Sequence, residues 1–386
     1  MLYRRFGRTE LSISVFSCGG MRYQQSWEDI PLSEVPAKNQ ENLEATIRRA
    51  LEVGVNHIET AAMYGSSEIQ LGQVLPKLPR EKFILQSKIA PFENPDDFRK
   101  KLEESFSKLK VDRIDLLSIH GINTQQFWEW TPVCHDILLE YKEQGRIGHI
   151  GFSTHADTDF ICQVIESDLF DYVNLHWYYF LQKHDKCLEL AHKHDMGVFI
   201  ISPSDKGGKL YDAPDKLKKL CQPYTPMQFN DLFCLHNSKI HTLSLGASRP
   251  SDFDEHVEAL KFIGQEEKIQ EIADKIHQAL VNYHGSFWLE NWDKHLPSWK
   301  DAPSHVNLYE ILRFYKLAKG LDMIEFAKMR YNILEKKGHW FPGGFAQFDD
   351  NEMRQALKDS PLCEELLEAL KWSHENFYSE PANDRK

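Results

Sequence analysis

The chain has no apolar run near the ~20 residues that a membrane span needs, and Met1–Gly7 lacks the apolar stretch of a signal peptide, so neither anchor nor export signal is expected. It has no GxGxxG and no GxxxxGK[ST], the glycine-rich loops that cradle phosphates after a first strand. That argues against a doubly wound open sheet. The seven cysteines (Cys18, Cys134, Cys162, Cys187, Cys221, Cys234, Cys363) are scattered and odd in number, and no two form a CxxC. A disulfide framework and a structural zinc site are thereby disfavoured, and a reducing, cytoplasmic setting is expected. There is no surplus of positive charge either. Lys and Arg number 46 against 58 Asp and Glu, a net charge of −12, which excludes a general binder of nucleic-acid backbones. The expected partner is a small molecule, with no nucleic acid and no membrane. What is abundant is apolar and aromatic material, 41% hydrophobic residues with 23 Phe, 14 Tyr and 9 Trp, enough for a large core.

Strand-like runs recur at Ser12–Cys18, Asn56–Ala61, Phe83–Ala90, Ile114–His120, Ile147–Ser153, Tyr172–Tyr178, Val198–Ser202 and Thr242–Ala247. Stretches of helical periodicity follow most of them, as at Asp96–Leu109 and Thr158–Ser167, and Gly54 closes a helix carrying Leu43, Ile47, Ala50 and Leu51. The near-continuous apolar character of Ile114–Ile119 and Val198–Ile201 suits parallel strands buried on both faces. Eight alternating β–α units within about 260 residues predict a closed (β/α)8 barrel, with a small hairpin formed by Tyr3–Arg8 and Ser12–Ser14 beneath it. Beyond that the pattern is helical only. The expected division is a barrel over residues 1–264 and a helical extension over 265–386, packed on the barrel through Trp288, Trp292, Trp299 and Trp340. Its helices are predicted to open at Asn307-x-x-Glu310, at Asp322-x-x-Glu325 and at Ser360-Pro361, stopping at Gly320 and near Gly338 for the first two. The polar tail Ser379–Lys386 is expected to fray.

Barrel enzymes hold their reactive groups at the C-terminal ends of strands. Here those ends carry Glu59, Tyr64, Lys88, His120, Ser153, His155, Asn174, His176, Ser202, Ser248 and Arg249. Taken singly, Lys88 reads equally as a strand end reaching solvent, His120 as a core histidine and Glu59 as a structural ion-pair partner. Together, an acid, a phenol, an ammonium and an imidazole can build a proton donor. A phenol with a pKa near 10 is a poor acid at neutral pH. A neighbouring ammonium stabilises its phenolate, a carboxylate keeps the ammonium in place, and an imidazole opposite orients a carbonyl oxygen.

The segments Tyr3-Arg4-Arg5-Phe6-Gly7-Arg8-Thr9, Ile58-Glu59-Thr60-Ala61-Ala62-Met63-Tyr64-Gly65, Ser67-Glu68, Asp115-Leu116-Leu117-Ser118-Ile119-His120 and Gly151-Phe152-Ser153 resemble the aldo-keto reductase family across the whole barrel. The resemblance implies NADPH-dependent reduction of an aldehyde or ketone. Tyr64 would be the general acid, Lys88 its partner and His120 the carbonyl-orienting residue. Glu59 stands where most of the family has Asp. For the cofactor, the resemblance implies Gly20 and Met21 after the first strand, Ser153, Thr154 and Asn174 at the carboxamide, and the loop from Ser202, Pro203 and Lys206 through Gly207, Gly208 and Leu210 at the pyrophosphate. It further implies Gly246, Ser248 and Arg249 at the 2′-phosphate, with Glu255 and His256 at the adenine. A bidentate Arg grip favours NADPH over NADH.

The extension resembles a branch that often carries a ferredoxin-like cysteine cluster, but residues 285–320 contain no cysteine, so no iron–sulfur cluster is expected. Tyr23 and Trp27 in the loop Met21–Asn39, Phe127, Trp128 and Trp130 after the fourth strand, and His176 and Trp177 are candidates to line a substrate pocket. Two alternatives remain open at this stage. One is a metal-dependent barrel hydrolase using His120, His155, His176 and Glu59. The other is a low-turnover NADP(H)-binding or regulatory protein on the same fold.

Overall fold

A computed structural model describes residues 1–335 and 338–380; the expected fraying tail lies outside the described residues beyond Glu380. The chain divides into two compact units, one of residues Met1–Gly207 with Asn230–Gly264, the other of Gly208–Phe229 with the residues from Gln265 onward.

The first unit opens with β1 (Tyr3–Arg5) paired antiparallel to β2 (Ser12–Ser14). Then follow β3 (Phe16–Gly19), α1 (Ala37–Glu52), β4 (His57–Glu59), α2 (Ser67–Leu71), β5 (Ile84–Ile89), α3 (Pro95–Leu109), β6 (Ile114–Ile119), α4 (Gln125–Glu143), β7 (Ile147–Ser153), α5 (Thr158–Glu166), β8 (Tyr172–Leu175), α6 (Asp185–Lys193) and β9 (Gly197–Ile200). After α7 (Asp215–Cys221) and α8 (Pro226–His236) come β10 (Thr242–Leu245) and α9 (Asp252–Ala259). Strands β3 to β10 close into a parallel (β/α)8 barrel in which β10 pairs with both β9 and β3. The run Ser12–Cys18, read from sequence as one strand, is two. Ser12–Ser14 belongs to the hairpin, and the barrel strand begins at Phe16.

Strand alternation decides what each residue meets. Leu117, Ile119, Ile150, Phe152, Val173, Leu175, Val198 and Ile200 turn outward and are almost fully buried. The inward set is layered. At the bottom, Phe6 and Ile13 from the hairpin join Leu116, Tyr172 and Phe199 in one apolar cluster, with the Phe6 and Tyr172 ring centroids 5.5 Å apart. Gly151 makes room for this layer, since a Cβ there would lie 2.5 Å from the Tyr172 ring. Above it runs a polar ladder. His57 Nε2 lies 2.9 Å from Gln86 Oε1, Gln86 Nε2 donates to Ser118 Oγ at 3.2 Å, and Ser118 Oγ donates to the Tyr172 hydroxyl at 3.0 Å. Burial drives the His57 pKa down to about 3, so that rung is uncharged.

The second unit contains α10 (Glu266–His284), α11 (Ser286–Asn291), α12 (Leu308–Leu321), α13 (Ile324–Tyr331), α14 (Asp350–Ala356) and α15 (Cys363–Phe377). Asn307 caps α12 as its spacing predicts, accepting from Glu310 N at 3.2 Å. Asp322 does not open α13. It sits in the left-handed region (φ 61°) at the end of α12, and the next helix begins two residues later and stops at Tyr331, short of Gly338. Ser360 accepts from Leu362 N, but α15 starts only at Cys363. Trp288 and Trp292 stack on each other at 6.1 Å, and Lys316 Nζ lies 4.3 Å from the Trp292 ring centre.

The hairpin plug yields a test. Phe6→Ala removes a fully buried ring from a closed layer and is expected to cost about 3–5 kcal/mol, read as a lower urea midpoint of the intact chain; an unchanged midpoint would show that the barrel bottom does not depend on the hairpin.

Candidate active site

The backbone beyond β4 continues alongside β5 in the same register: Thr60 N donates to Gln86 O and Ala62 N to Lys88 O, both at 2.9 Å. This pairing brings Glu59, Thr60 and Tyr64 around Lys88. The Lys88 ammonium is fully buried and has three protons to place. It pairs with the Glu59 carboxylate, donates to Thr60 O at 3.0 Å and donates to Tyr64 Oη at 3.2 Å. Because Lys88 uses a lone pair of the phenol, the phenolic proton remains available for transfer. His120 closes the far side, its ring edge-on to Tyr64 at 5.8 Å, held by its own N–H on Ile89 O at 2.7 Å. The four residues singled out from sequence therefore form one cluster, with Glu59 reaching Lys88 despite the extra methylene.

The electrostatics depart from expectation in one respect. An ammonium alone would lower the phenol's pKa, but burial raises that of Tyr64. Burial also pulls down the Lys88 pKa, opposed by its carboxylate partner. Desolvation wins at Tyr64 because a phenolate in this water-poor layer loses more hydration than one shared ammonium restores. The consequence favours an acid, since the phenol stays protonated at neutral pH and Lys88 stabilises the oxygen as the proton leaves.

Gly65 (φ +49°) lets the loop after β3 lie on this cluster. A Cβ there would fall 2.1 Å from Ser26 O. Ser66 Oγ accepts from Gln25 N and Ser26 N at 3.1 Å each, which sets Trp27 edge-on to Tyr64 at 6.3 Å. Trp27 is 61% exposed and flanks the phenol. Trp128 is half-buried on α4. Tyr23 and Trp177 are buried instead of lining an open pocket. Trp177 follows the inward-facing His176, so pleat alternation turns it outward, where it stacks on Phe233 at 5.2 Å and its indole N–H donates to Asp185 at 2.6 Å.

The carboxamide candidates divide. Thr154 Oγ1 is engaged, donating to Ile122 O and accepting from Ala156 N. Ser153 Oγ accepts from Gly121 N at 3.0 Å and keeps its proton to donate. Asn174, fully buried on β8, has neither its Nδ2 nor its Oδ1 hydrogen-bonded. An orphaned donor–acceptor pair at this depth calls for a ligand of the same kind, and a primary carboxamide such as that of nicotinamide fits it. Gly20 packs at the end of β3, where a Cβ would meet Ser67 Oγ and Glu59 O, and Met21 is half-buried beside it. Ser202 adopts φ 55° and accepts from Lys206 N at 3.1 Å, shaping a tight loop with Pro203 buried inside it. Gly208 and Leu210 fall in the second unit.

At the end of β10, Gly246 lies beneath Arg22, which sequence reasoning overlooked. Arg22 bridges to Asp205 at 2.7 Å, joining the loops after β3 and β9. Ser248 and Arg249 both bond to Asp252. Glu255 is half-buried. His256 turns into the core and pairs with Asp231 at 2.5 Å, so its side chain acts inside the barrel wall, because α9 presents that face to α8. A further cluster joins His155, His176, Tyr178 and Lys206, with His176 Nε2 3.1 Å from His155 Nδ1 and 3.5 Å from Lys206 Nζ. Among the described residues no three His, Cys, Asp or Glu side chains are grouped to hold a metal ion.

The closed parallel barrel thus carries a Tyr–Lys–Glu–His cluster at its strand ends. Comparison with known proteins gives the family. The Aldo/keto reductase family profile matches residues 16–275, and the chain belongs to that family. It is 28% identical over 187 residues to the NADH-specific methylglyoxal reductase of Escherichia coli (42% of this chain, 56% of that one). It is 29% identical over 161 residues to the L-galactose dehydrogenase of Arabidopsis thaliana (39% and 47%). The chain thus spans about half the length of these curated relatives. The holo aldo-keto reductase AKR11C1 of Bacillus halodurans shares the fold with a TM-score of 0.60 at 20% identity, covering 71% of this chain and 96% of that one. Among the described residues no helix is long and apolar enough to cross a membrane.

The His256–Asp231 pair gives a pH test. Burial alone would lower the His256 pKa, but the Asp231 carboxylate outweighs it and raises it above the usual 6.5. A raised folded pKa contributes stability that is fully present below about 6.5 and is lost as pH rises through the folded value. The melting temperature of the wild type is expected to fall between pH 6 and pH 9 by more than that of His256→Gln; equal falls would show the pair to be uncharged.

Proposed function

We propose that the chain is an NADPH-dependent reductase of a small aldehyde or ketone, working in the cytoplasm. The observation that carries this reading is the Lys88 ammonium 3.2 Å from the Tyr64 hydroxyl, with its remaining donors engaged by Glu59 and Thr60. When bound, the reduced nicotinamide supplies a hydride to the carbonyl carbon. Tyr64 Oη donates its proton to the carbonyl oxygen, and Lys88 stabilises the phenolate that this leaves. Glu59 keeps Lys88 charged and in place. His120 orients the carbonyl oxygen from the opposite side. Asn174 and Ser153 hold the carboxamide through the free donor and acceptor of the one and the free hydroxyl proton of the other. The loop Ser202–Lys206 and the Arg22–Asp205 bridge lie along the dinucleotide, and Trp27 gives the substrate an apolar wall. Arg249 grips the 2′-phosphate.

With an activated aromatic aldehyde, Tyr64→Phe is expected to lower the reduction rate roughly 10²–10⁴-fold while dinucleotide affinity changes little; undiminished turnover removes Tyr64 from the acid role. Arg249→Ala is expected to weaken NADPH by about tenfold or more, the size of one charge-assisted hydrogen bond, with NADH much less affected in a binding titration. Equal losses would place the phosphate contact elsewhere.

A further inference from the structure

The loop that follows β10 is organised around a carboxylate. Asp252, the first residue of α9, accepts through Oδ2 from Ser248 N and Ser248 Oγ, each at 2.9 Å, and through Oδ1 from Arg249 Nε at 2.8 Å. Ser248 O in turn accepts from Asn42 Nδ2 of α1 at 2.7 Å, so the loop is held on both sides. Burial opposes ionisation of Asp252, but the Ser248 N–H and the Arg249 guanidinium more than compensate and hold it below the usual carboxylate range. Two nearby guanidinium groups are already committed, Arg49 of α1 to Asp254 at 2.8 Å and Glu52 at 3.0 Å, and Arg22 to Asp205 at 2.7 Å. Arg249 is 72% exposed and retains guanidinium edges for a ligand.

We propose that Asp252 sets the size of the cofactor preference, offsetting part of what Arg249 contributes so that NADPH is favoured over NADH by no more than about tenfold. The proposal rests on reading the loop at Gly246–Glu255 as the place of the adenosine end. Its physical basis is direct. A 2′-phosphate brings a second anion beside an ionised carboxylate and shares one guanidinium with it, while Asp252 already takes the Ser248 N–H and O–H that would otherwise bind the phosphate. A 2′-hydroxyl, in contrast, is a donor and can bond to the carboxylate itself.

The test is a titration of the full chain with NADPH and with NADH, followed by intrinsic tryptophan fluorescence, for wild type, Asp252→Asn and Asp252→Ser. Wild type is expected to bind the two within about tenfold of each other. Asp252→Asn keeps an acceptor for Ser248 N and removes the charge, and is expected to shift the affinity ratio toward NADPH by roughly tenfold or more; Asp252→Ser, which also removes the charge, should shift it the same way. A ratio unchanged in both variants with native circular dichroism, a shift toward NADH, or a wild type preferring NADPH by more than about a hundredfold would each overturn the role of Asp252 and leave the reductase reading standing. A wild type that binds neither dinucleotide would overturn that reading and this one together.

Discussion

A buried ammonium must place three protons without water, and much of this molecule follows from how Lys88 does so. An unpaired charge at that depth would cost several kcal/mol. The chain meets the requirement with one carboxylate, one backbone carbonyl and one phenol lone pair. Each acceptor comes from the segment Glu59–Tyr64, whose first residues keep pairing with β5 beyond the end of β4. The pairing of Glu59 opposite Gln86 sets the height at which this happens. The phenol is chosen by the same constraint, because it accepts one hydrogen bond and still has a proton to give.

The barrel beneath gives that arrangement its rigidity. Its inward face passes from an apolar plug built partly by the hairpin, through the ladder His57–Gln86–Ser118–Tyr172, to the charged cluster at the strand ends. The rungs are buried and joined by hydrogen bonds, so each restricts the rotamer of the next. Loops then carry what varies. Ser66 pins the segment that carries Trp27, and Asp252 organises the one that carries Arg249. Side chains that must be accurate to a fraction of an ångström sit on or next to strands, while those that choose among ligands sit on the loops.

The eight-fold alternation of strands and helices was legible in the amino-acid sequence because strand and helix periodicities are local properties of the chain. So was the candidate set, since Glu59, Tyr64, Lys88 and His120 stand at or just beyond the ends of consecutive recognisable strands. Helix starts were less legible. Asn307 caps α12 as its spacing implies, but Asp322 ends a helix instead of beginning one, because a left-handed residue closing α12 has the same polar character as an N-cap.

Residue type and order along the chain thus determined the barrel, the helical region and the members of the Glu59–Tyr64–Lys88–His120 cluster. Tertiary structure alone decided the direction and partners of each side chain. It turned Trp177 outward and His256 inward, left the Asn174 carboxamide without a partner, and joined Arg22 to Asp205. These outcomes depend on contacts between residues as much as 183 positions apart, as in the Arg22–Asp205 pair, and on which hydration each buried group gives up, neither of which a local pattern records.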